Sequence, residues 1–301
     1  MPNDAQIVEE GFQRYFNTPL KPYQELVHLF DSEEAHLKYF KKVLYFTKAV
    51  IGPMAAQGMR KEDSIVDLAS GDGQMSLALA LLGYERITLY DMDTQRLELG
   101  KRMIHEFRKD LKVGTINGSA TELSGHYDVL ICYQTIEHLS DEGNYSIAKK
   151  SCQLEFLRQV DRSIGRMCYF NAPNRSYPVD GHDTGKLFFH WLPMGLKKFL
   201  IGKGHVRCSW AGICRPVTVS FLARHLPHFK RISRYYAFPS MKAYIANYPL
   251  FDYMGSRVPQ PPADGSLSFK KRIIDTVSKL LGSQMQKVLP VLSVIYVRRG
   301  E

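Results

Sequence analysis

The sequence contains no uninterrupted apolar stretch of roughly eighteen residues, the length that a membrane-spanning helix requires. We therefore do not expect an integral membrane protein. The opening residues, MPNDAQIVEE, are polar and acidic, whereas a secretory signal would be basic and then apolar. These features predict a cytoplasmic protein.

Paired cysteine motifs are also missing. The five cysteines are odd in number and include no CxxC pair, which argues against a disulfide framework and against a zinc ribbon. We therefore expect reduced thiols at Cys132, Cys152, Cys168, Cys208 and Cys214.

Acidic residues are absent from positions 184 to 251, a stretch that holds eleven lysines and arginines in a chain of net charge +10. Such a stretch is expected to present positive potential, which attracts phosphate-bearing small molecules, acidic lipid surfaces or nucleic acid. A solvated face that only aids solubility is an equal alternative. Charge alone therefore leaves the partner open.

Short apolar runs alternate with longer helical patterns between residues 64 and 171. The clearest runs cover residues 65–68, 87–90, 127–132 and 167–171. Alternation of this kind produces right-handed crossovers between parallel strands. The pattern predicts an α/β fold with a doubly wound, mostly parallel sheet.

Additional segments flank this pattern. Residues 1–60 are predicted to form a helical N-terminal cap whose helix ends at Gly52-Pro53, and residues 61–301 to form the main domain. Within that domain we expect an insertion at 172–216 after the fifth strand, because the stretch is rich in glycine, proline and aromatics. A helical extension is expected at 237–289.

The sequence IVDLASGDGQ indicates a strand that runs into a glycine-bearing turn and then a helix. Gly71 and Gly73 would let the backbone turn sharply and approach a ligand closely. Asp91 follows about twenty residues later at the end of a second strand, where it could accept hydrogen bonds from ribose hydroxyls. Together these residues predict an adenosine-containing ligand.

NAD-binding proteins share this strand, turn and downstream acid, so the turn alone does not identify the ligand. The third glycine of the dinucleotide pattern would fall at Ser76. Asp67, at the end of the first strand, would repel a pyrophosphate but can pair with a ligand ammonium. Both features favour a ligand other than NAD.

DLASGDG resembles the signature of class I S-adenosylmethionine-dependent methyltransferases, acid-x-G-x-G-x-G, with Ala69 in place of the first glycine. YDMD is similar to the ribose-binding acid of this family, and NGSATEL with YDVLICYQTIEHL resembles its third and fourth strands. CYFNAPNRSYP resembles the fifth-strand ending of the UbiE/UbiG-like branch. The resemblance covers roughly residues 64–178 and the final strand. It implies a Rossmann-like fold, the cofactor S-adenosyl-L-methionine and methyltransferase activity.

The resemblance also implies individual cofactor contacts. Asp67 would lie near the methionine ammonium and Asp91 on the ribose. Met92 and Ala120 would contact the adenine, and Ser119 stands where an acid often binds the adenine amino group. The full implied set is Asp67, Ala69, Gly71, Gly73, Asp91, Met92, Ser119, Ala120, Cys132 and Tyr133.

Ligands of doubly wound sheets lie beyond the carboxyl ends of the strands, so the tails after the fourth and fifth strands should flank the methyl acceptor. An acceptor hydroxyl benefits from a base whose pKa is near the working pH, which histidine fits best. His138 and His182 are the predicted catalytic residues, with Asp180 or Asp183 raising the basicity of His182. Each histidine could instead be structural.

A metal site is not expected. Quinone O-methyltransferases of the UbiG kind resemble this stretch with acid-x-x-Glu-His, which can hold magnesium. Gln134 replaces the first acid here, and the loss of a carboxylate lowers affinity for a hard cation.

The leading functional hypothesis is O-methylation of an anionic small molecule or of a lipid-linked glycan or quinone-type acceptor. The alternative is RNA or tRNA methylation, which a pI of about 9.3 favours. NAPN after the fifth strand lacks the Pro-Pro-aromatic grip on a flipped base, and this opposes nucleic acid. A non-enzymatic binding protein on the same scaffold is a third hypothesis.

The basic amphipathic stretch at 266–289 predicts either peripheral membrane contact or packing on the core. The sequence does not indicate an oligomeric state.

Overall fold

The computed structural model describes residues 39–141 except 41 and 44, and residues 147–180, 182–207, 212–232 and 291–300. They fall into two compact units, the first ending at Asn117 and the second formed by residues 118–232 and 291–300. Seven strands form a mostly parallel sheet with helices beside it.

The first unit is a series of strands and helices in alternation. β2 lies between β1 and β3 and is parallel to both. Every residue of β1 is buried, as expected for a strand covered on both faces. The elements are α1 (Gly52–Ala56), β1 (Ile65–Leu68), α2 (Gln74–Leu81), β2 (Ile87–Asp91), α3 (Thr94–Phe107) and β3 (Gly114–Asn117).

Two glycines allow the start of α2 to approach α3 closely. A Cβ on Gly73 would lie 2.6 Å from the Cα of Gly100, and a Cβ on Gly100 would lie 2.7 Å from a methyl carbon of Leu89. α3 begins at Asp93, whose carboxylate accepts hydrogen bonds from the first turn of the helix. This packing fixes the turn before α2 against the helix that follows β2.

The helical cap differs from the prediction at its end. Thr47–Ile51 form a π-helical turn that continues directly into α1. Gly52 and Pro53 therefore lie inside a run of helical residues that continues to Ala56, and the helix does not end at them. The backbone N–H of Gly52 donates to the carbonyl of Thr47, a bond of the i→i−5 type that defines a π-helical turn. Residues 1–38 of the predicted cap lie outside the described residues.

The second unit contains an antiparallel strand. Its strands follow the order β4-β5-β7-β6, with β4 parallel to β5 and β7 antiparallel to both β5 and β6. The dinucleotide-binding fold has no such strand between its fifth and sixth strands. The elements are β4 (Tyr127–Tyr133), α4 (Lys150–Ser163), β5 (Ile164–Pro173), α5 (Met194–Gly202), α6 (Val219–His225), β6 (Phe229–Arg231) and β7 (Val291–Arg298).

The predicted insertion at 172–216 starts later than expected, because β5 extends to Pro173. Its two ends lie together, since Asn174 forms a parallel bridge with Val217. An antiparallel bridge between Val179 and Leu187 closes the turn inside it. The insertion is therefore an ordered part of the second unit wherever the structure describes it.

The predicted fold class is confirmed: an α/β, doubly wound, mostly parallel Rossmann-like sheet. The predicted helical extension at 237–289 lies outside the described residues. No described helix is both long and apolar enough to cross a membrane.

Candidate active site

A turn with left-handed backbone connects β1 to α2. Ala69, Gly71 and Gly73 have φ angles of 53°, 53° and 75°. Glycine adopts this region without a steric penalty, whereas alanine incurs about 1–2 kcal/mol. Ala69 therefore departs from the signature glycine in conformational cost as well as in size.

The carboxylate of Asp91 ties this turn to the start of α3. One oxygen accepts a hydrogen bond from the backbone N–H of Gly71 at 2.8 Å, and the other accepts one from Asp93 at 2.9 Å. A carboxylate oxygen has two lone pairs, so each can also accept a ribose hydroxyl. The geometry therefore fits the ribose-binding role implied for Asp91.

Asp67 is buried within β1, and its carboxylate accepts a hydrogen bond from the Ser76 hydroxyl at 2.7 Å. Burial raises the pKa of Asp67 to about 6, against the opposing hydrogen bonds from Ser76. A cation beside Asp67 would stabilise its ionised form. The residue therefore suits the ammonium and sulfonium of S-adenosylmethionine and is unsuited to a pyrophosphate.

Met92 follows β2 and has half of its surface exposed. The side-chain amide of Asn117 donates to the backbone carbonyls of Asp91 and Met92, at 3.2 Å and 2.8 Å. This contact fixes the backbone after β2 and leaves the Met92 side chain available to an adenine.

The remaining implied cofactor residues belong to the second unit. Ser119 accepts a hydrogen bond from the backbone N–H of Thr121 and so caps the short turn that carries the buried Ala120. Cys132 and Tyr133 end β4. Because Cys132 is fully buried, only its backbone is suited to a ligand contact.

Both predicted catalytic histidines lie in one cluster of the second unit. Glu137 and His138 occupy a short 3-10 turn after β4, and His182 follows β5. The imidazole centroids of His138 and His182 are 4.9 Å apart. Nε2 of each histidine lies 3.9 Å from Oε1 of Glu137.

Asp183 orients the imidazole of His182. Nδ1 of His182 lies 3.0 Å from Oδ1 of Asp183, so a neutral ring that donates there keeps Nε2 as an acceptor. Burial lowers the pKa of His182, but the hydrogen bond to Asp183 and the charge of Glu137 outweigh burial and raise the pKa overall. Of the two acids left open by the sequence, Asp183 makes the direct contact. Asp180 instead accepts a hydrogen bond from the backbone N–H of Asp183.

Glu137 is fully buried, and neither carboxylate oxygen has a hydrogen-bond partner among the described residues. Burial raises the pKa of Glu137 to about 7, although the charge of His182 opposes this. A buried carboxylate without hydrogen bonds is costly in its charged form. Glu137 therefore gains or loses its proton near neutral pH.

His138 differs from His182 in its protonation. Burial lowers the pKa of His138 to about 4, and the charge of His182 adds to the effect. The imidazole of His138 is therefore neutral near pH 7, while His182 is the more basic of the two histidines. This difference separates the roles of the two predicted catalytic residues.

Donor atoms in the cluster are also close enough to share a metal ion. Glu137, His138 and His182 form one such group and His182, Asp183 and Cys214 another, with all donor atoms of each within 4.8 Å. The side-chain amide of Gln134, which replaces an acid, instead donates to Asn171 at 2.9 Å. The absence of a metal therefore stays a prediction, to be tested by metal removal.

Cys214 and Lys197 were missed by the sequence reasoning. The backbone N–H of Cys214 donates to Oδ2 of Asp183 at 3.0 Å, which holds this acid while Oδ1 contacts His182. Lys197 is buried on α5, and burial lowers its pKa, although Cys214, Asp180 and Asp183 oppose the shift. These residues come from distant segments, so no local spacing marked them.

Residues 65–154 match the family model described as a methyltransferase domain. No curated protein matches the chain. Among solved structures, the chain resembles magnesium protoporphyrin IX methyltransferase from Synechocystis PCC 6803, with 11% identity, coverage of 95% of this chain and 97% of that chain, and a TM-score of 0.48.

A second similar structure is an S-adenosylmethionine-dependent methyltransferase from Mesorhizobium loti, with 12% identity, coverage of 84% of this chain and 100% of that chain, and a TM-score of 0.46. Likeness at this level does not identify a substrate. The family match covers the cofactor turn, Asp91 and the Glu137–His138 turn.

Proposed function

We propose that this chain, a class I S-adenosylmethionine-dependent methyltransferase, methylates a hydroxyl oxygen of an anionic acceptor with His182 as the general base. The main support is the contact between Nδ1 of His182 and Oδ1 of Asp183, which are 3.0 Å apart. Nε2 of the same imidazole faces the buried Glu137. A carboxylate that holds one imidazole nitrogen fixes the tautomer whose other nitrogen accepts a proton. We also place the chain in the UbiE/UbiG-like branch, on the resemblance of CYFNAPNRSYP.

The sulfonium of the cofactor supplies an electrophilic methyl group. With the cofactor bound, Nε2 of His182 would take the proton that the acceptor hydroxyl loses when it receives the methyl group. The products are a methyl ether and S-adenosylhomocysteine, and the proton passes from His182 to solvent. Asp183 keeps the ring oriented and stabilises the imidazolium. His138, whose pKa is held low, lines the site as a neutral group.

Cations near the cluster support an anionic acceptor. The backbone N–H of Arg215 donates to the backbone carbonyl of Glu137 at 2.7 Å, which places Arg215 beside the cluster that contains His182. Burial lowers the pKa of Arg215, and the charge of Arg175 adds to the effect. The charge of Arg175 also lowers the pKa of the buried Lys197. A carboxylate or phosphate bound between cations that repel one another would be stabilised by each of them and would relieve their repulsion.

Nothing in the comparisons favours the alternative of RNA or tRNA methylation. The acceptors that fit best are hydroxyl-bearing molecules with a carboxylate or phosphate, a class that includes lipid-linked glycans and quinone precursors.

The test uses two carboxylate–imidazole pairs of the same unit. His182→Asn and Asp183→Asn remove the proposed base or its orienting acid. His228→Asn and Asp161→Asn alter a matched surface pair, whose Nδ1 and Oδ2 lie 2.7 Å apart. Transfer of radiolabelled methyl is measured with phenols and sugars that carry a carboxylate or phosphate, each beside its analogue with the hydroxyl blocked.

We expect the first pair of variants to lower kcat about 10²- to 10⁴-fold, while binding of S-adenosylmethionine in calorimetry stays within about twofold. The surface variants should keep wild-type turnover. Full activity of His182→Asn would overturn the assignment of the base. Methyl transfer to the blocked analogues would overturn O-methylation itself.

A further inference from the structure

The helix α5 has its polarity reversed with respect to the protein interior. Lys197 is its only buried residue, and the Nζ of Lys197 lies 5.7 Å from the ring centroid of Phe189. Leu196 and Phe199 are exposed instead, the latter by 54%. A surface helix ordinarily buries its apolar stripe and exposes its charges. The exposed apolar face of α5 is therefore not explained by packing of its own unit.

Further exposed apolar side chains lie in the same stretch of the sequence as α5. Of the large hydrophobic side chains that are exposed among the described residues, only Met92 and Ile232 lie elsewhere in the sequence. Scattered exposed hydrophobics are normal, whereas a concentration in one short segment marks an interaction surface. We call this set the apolar patch: Leu187, Phe188, Trp191, Leu196 and Phe199.

The backbone holds part of the apolar patch in a strained conformation. Phe188 has a φ of 58°, a left-handed value that costs a bulky residue free energy. Its backbone N–H donates to the carbonyl of Pro178, and its ring lies 4.8 Å from that of Trp191. The indole N–H of Trp191 donates to the backbone carbonyl of Arg175. The two aromatic rings are thus fixed in place and still half exposed.

The charged residues exposed in the same segment as the apolar patch are all cationic. Lys186, Lys198, Lys203 and Arg207 are all exposed and lie within the same segment. No acidic residue occurs between positions 184 and 251. Exposed aromatic and leucine side chains beside lysines and arginines are the composition of surfaces that bind anionic lipid headgroups.

We propose that the apolar patch and its four cations dock this protein on an anionic lipid bilayer. Phe188, Trp191 and Phe199 would enter the boundary between headgroups and acyl chains, and the cations would contact the phosphates. The alternative to a bilayer is a protein partner, which would need an apolar surface for the patch and acidic residues opposite the four cations. The proposal does not depend on the identity of the methyl acceptor.

The experiment measures co-sedimentation of the full chain with vesicles of phosphatidylcholine alone and of phosphatidylcholine with phosphatidylglycerol. The double variant Leu196→Ser with Phe199→Ser should bind the anionic vesicles at least about tenfold more weakly, because burial of each side chain is lost. Lys198→Glu with Lys203→Glu should lose about fivefold or more per charge. Ile232→Ser, an exposed apolar residue outside the patch, should bind like the wild type.

Four further measurements make the result decisive. Thermal unfolding and binding of S-adenosylmethionine verify that each variant is folded. The triple variant Lys270→Glu, Lys271→Glu and Arg272→Glu tests the stretch at 266–289 that the sequence analysis predicted as a membrane contact. Loss of binding in this variant, with full binding by the patch variants, would overturn the proposal. Absence of wild-type binding to anionic vesicles would also overturn the proposal. So would analytical ultracentrifugation in which the apolar patch mediates only self-association of the chain.

Discussion

Replacing Glu137 with glutamine should stabilise the protein at alkaline pH and have much less effect at acidic pH. The carboxylate is fully buried without a hydrogen-bond partner among the described residues, and burial raises its pKa from 4.5 to about 7. Glutamine has nearly the same shape and carries no charge. The substitution therefore isolates the cost of ionising this side chain in the folded state.

The magnitude follows from linkage. Between pH 4.5 and about 7 the unfolded chain has lost the Glu137 proton and the folded chain retains it, so the folded state binds more protons and stability falls as pH rises. The contribution is fully present below the unfolded pKa and is lost as pH rises through the folded pKa. With about 1.4 kcal/mol for each tenfold change in an ionisation constant, the rise of this pKa from 4.5 to about 7 corresponds to about 3 kcal/mol.

Urea unfolding of wild type and Glu137→Gln at pH 4.5 and pH 8 measures the effect. The difference in unfolding free energy between the two proteins should change by about 3 kcal/mol between these pH values, in favour of glutamine at pH 8. Glu155→Gln, which alters an exposed ion pair with Arg158, should show little change. A pH-independent difference, or a larger loss for glutamine at pH 8, would refute the idea that burial destabilises the charged form of Glu137.

Three other outcomes are expected. Asp91→Asn should weaken S-adenosylmethionine binding about 10- to 100-fold in calorimetry, because charged acceptor oxygens are lost, whereas Glu98→Gln on the surface of α3 should not. Ala69→Gly should raise the free energy of unfolding by up to about 1 kcal/mol, since glycine relieves a positive φ, while Ala78→Gly inside α2 should lower it by about 1 kcal/mol. Dialysis against a chelator should leave methyl transfer unchanged; a loss that zinc or magnesium restores would contradict a metal-free base.

The sequence predicted those parts of the fold that local patterns determine. β1 and α3 have the predicted bounds, because an apolar run and a helical repeat are each complete within a few residues. β5 is longer than predicted because Ala172 and Pro173 pair with β7, more than a hundred residues away in the chain, and Ile164 pairs with Tyr127 of β4. The π-helical turn before Gly52 has no sequence signature, so the helix was predicted to end too early.

The site residues also differ in whether the local sequence could predict their role. Strand ends and glycines marked the cofactor turn and Asp91, because their role follows from their position on single elements. The choice of Asp183 over Asp180 depends on the geometry of a turn, because both acids lie within two residues of His182 in sequence. Cys214 contacts Asp183 from a segment 31 residues away, which no spacing rule could find.

The segment from Asp180 to Phe199 violates the rules that predicted the rest of the chain. It buries two acids and a lysine and exposes leucine and aromatic side chains, and it holds Phe188 at a positive φ. Conflicts between local preference and the folded structure concentrate where function requires them, since each lowers stability without a structural benefit. Asp183 contacts His182, Asp180 accepts a hydrogen bond from the backbone of Asp183, and the exposed side chains form the apolar patch. One inserted segment thus supplies both the proposed base and the proposed docking surface, which would bring the proton acceptor of the reaction to the lipid boundary where a lipid-linked acceptor presents its hydroxyl.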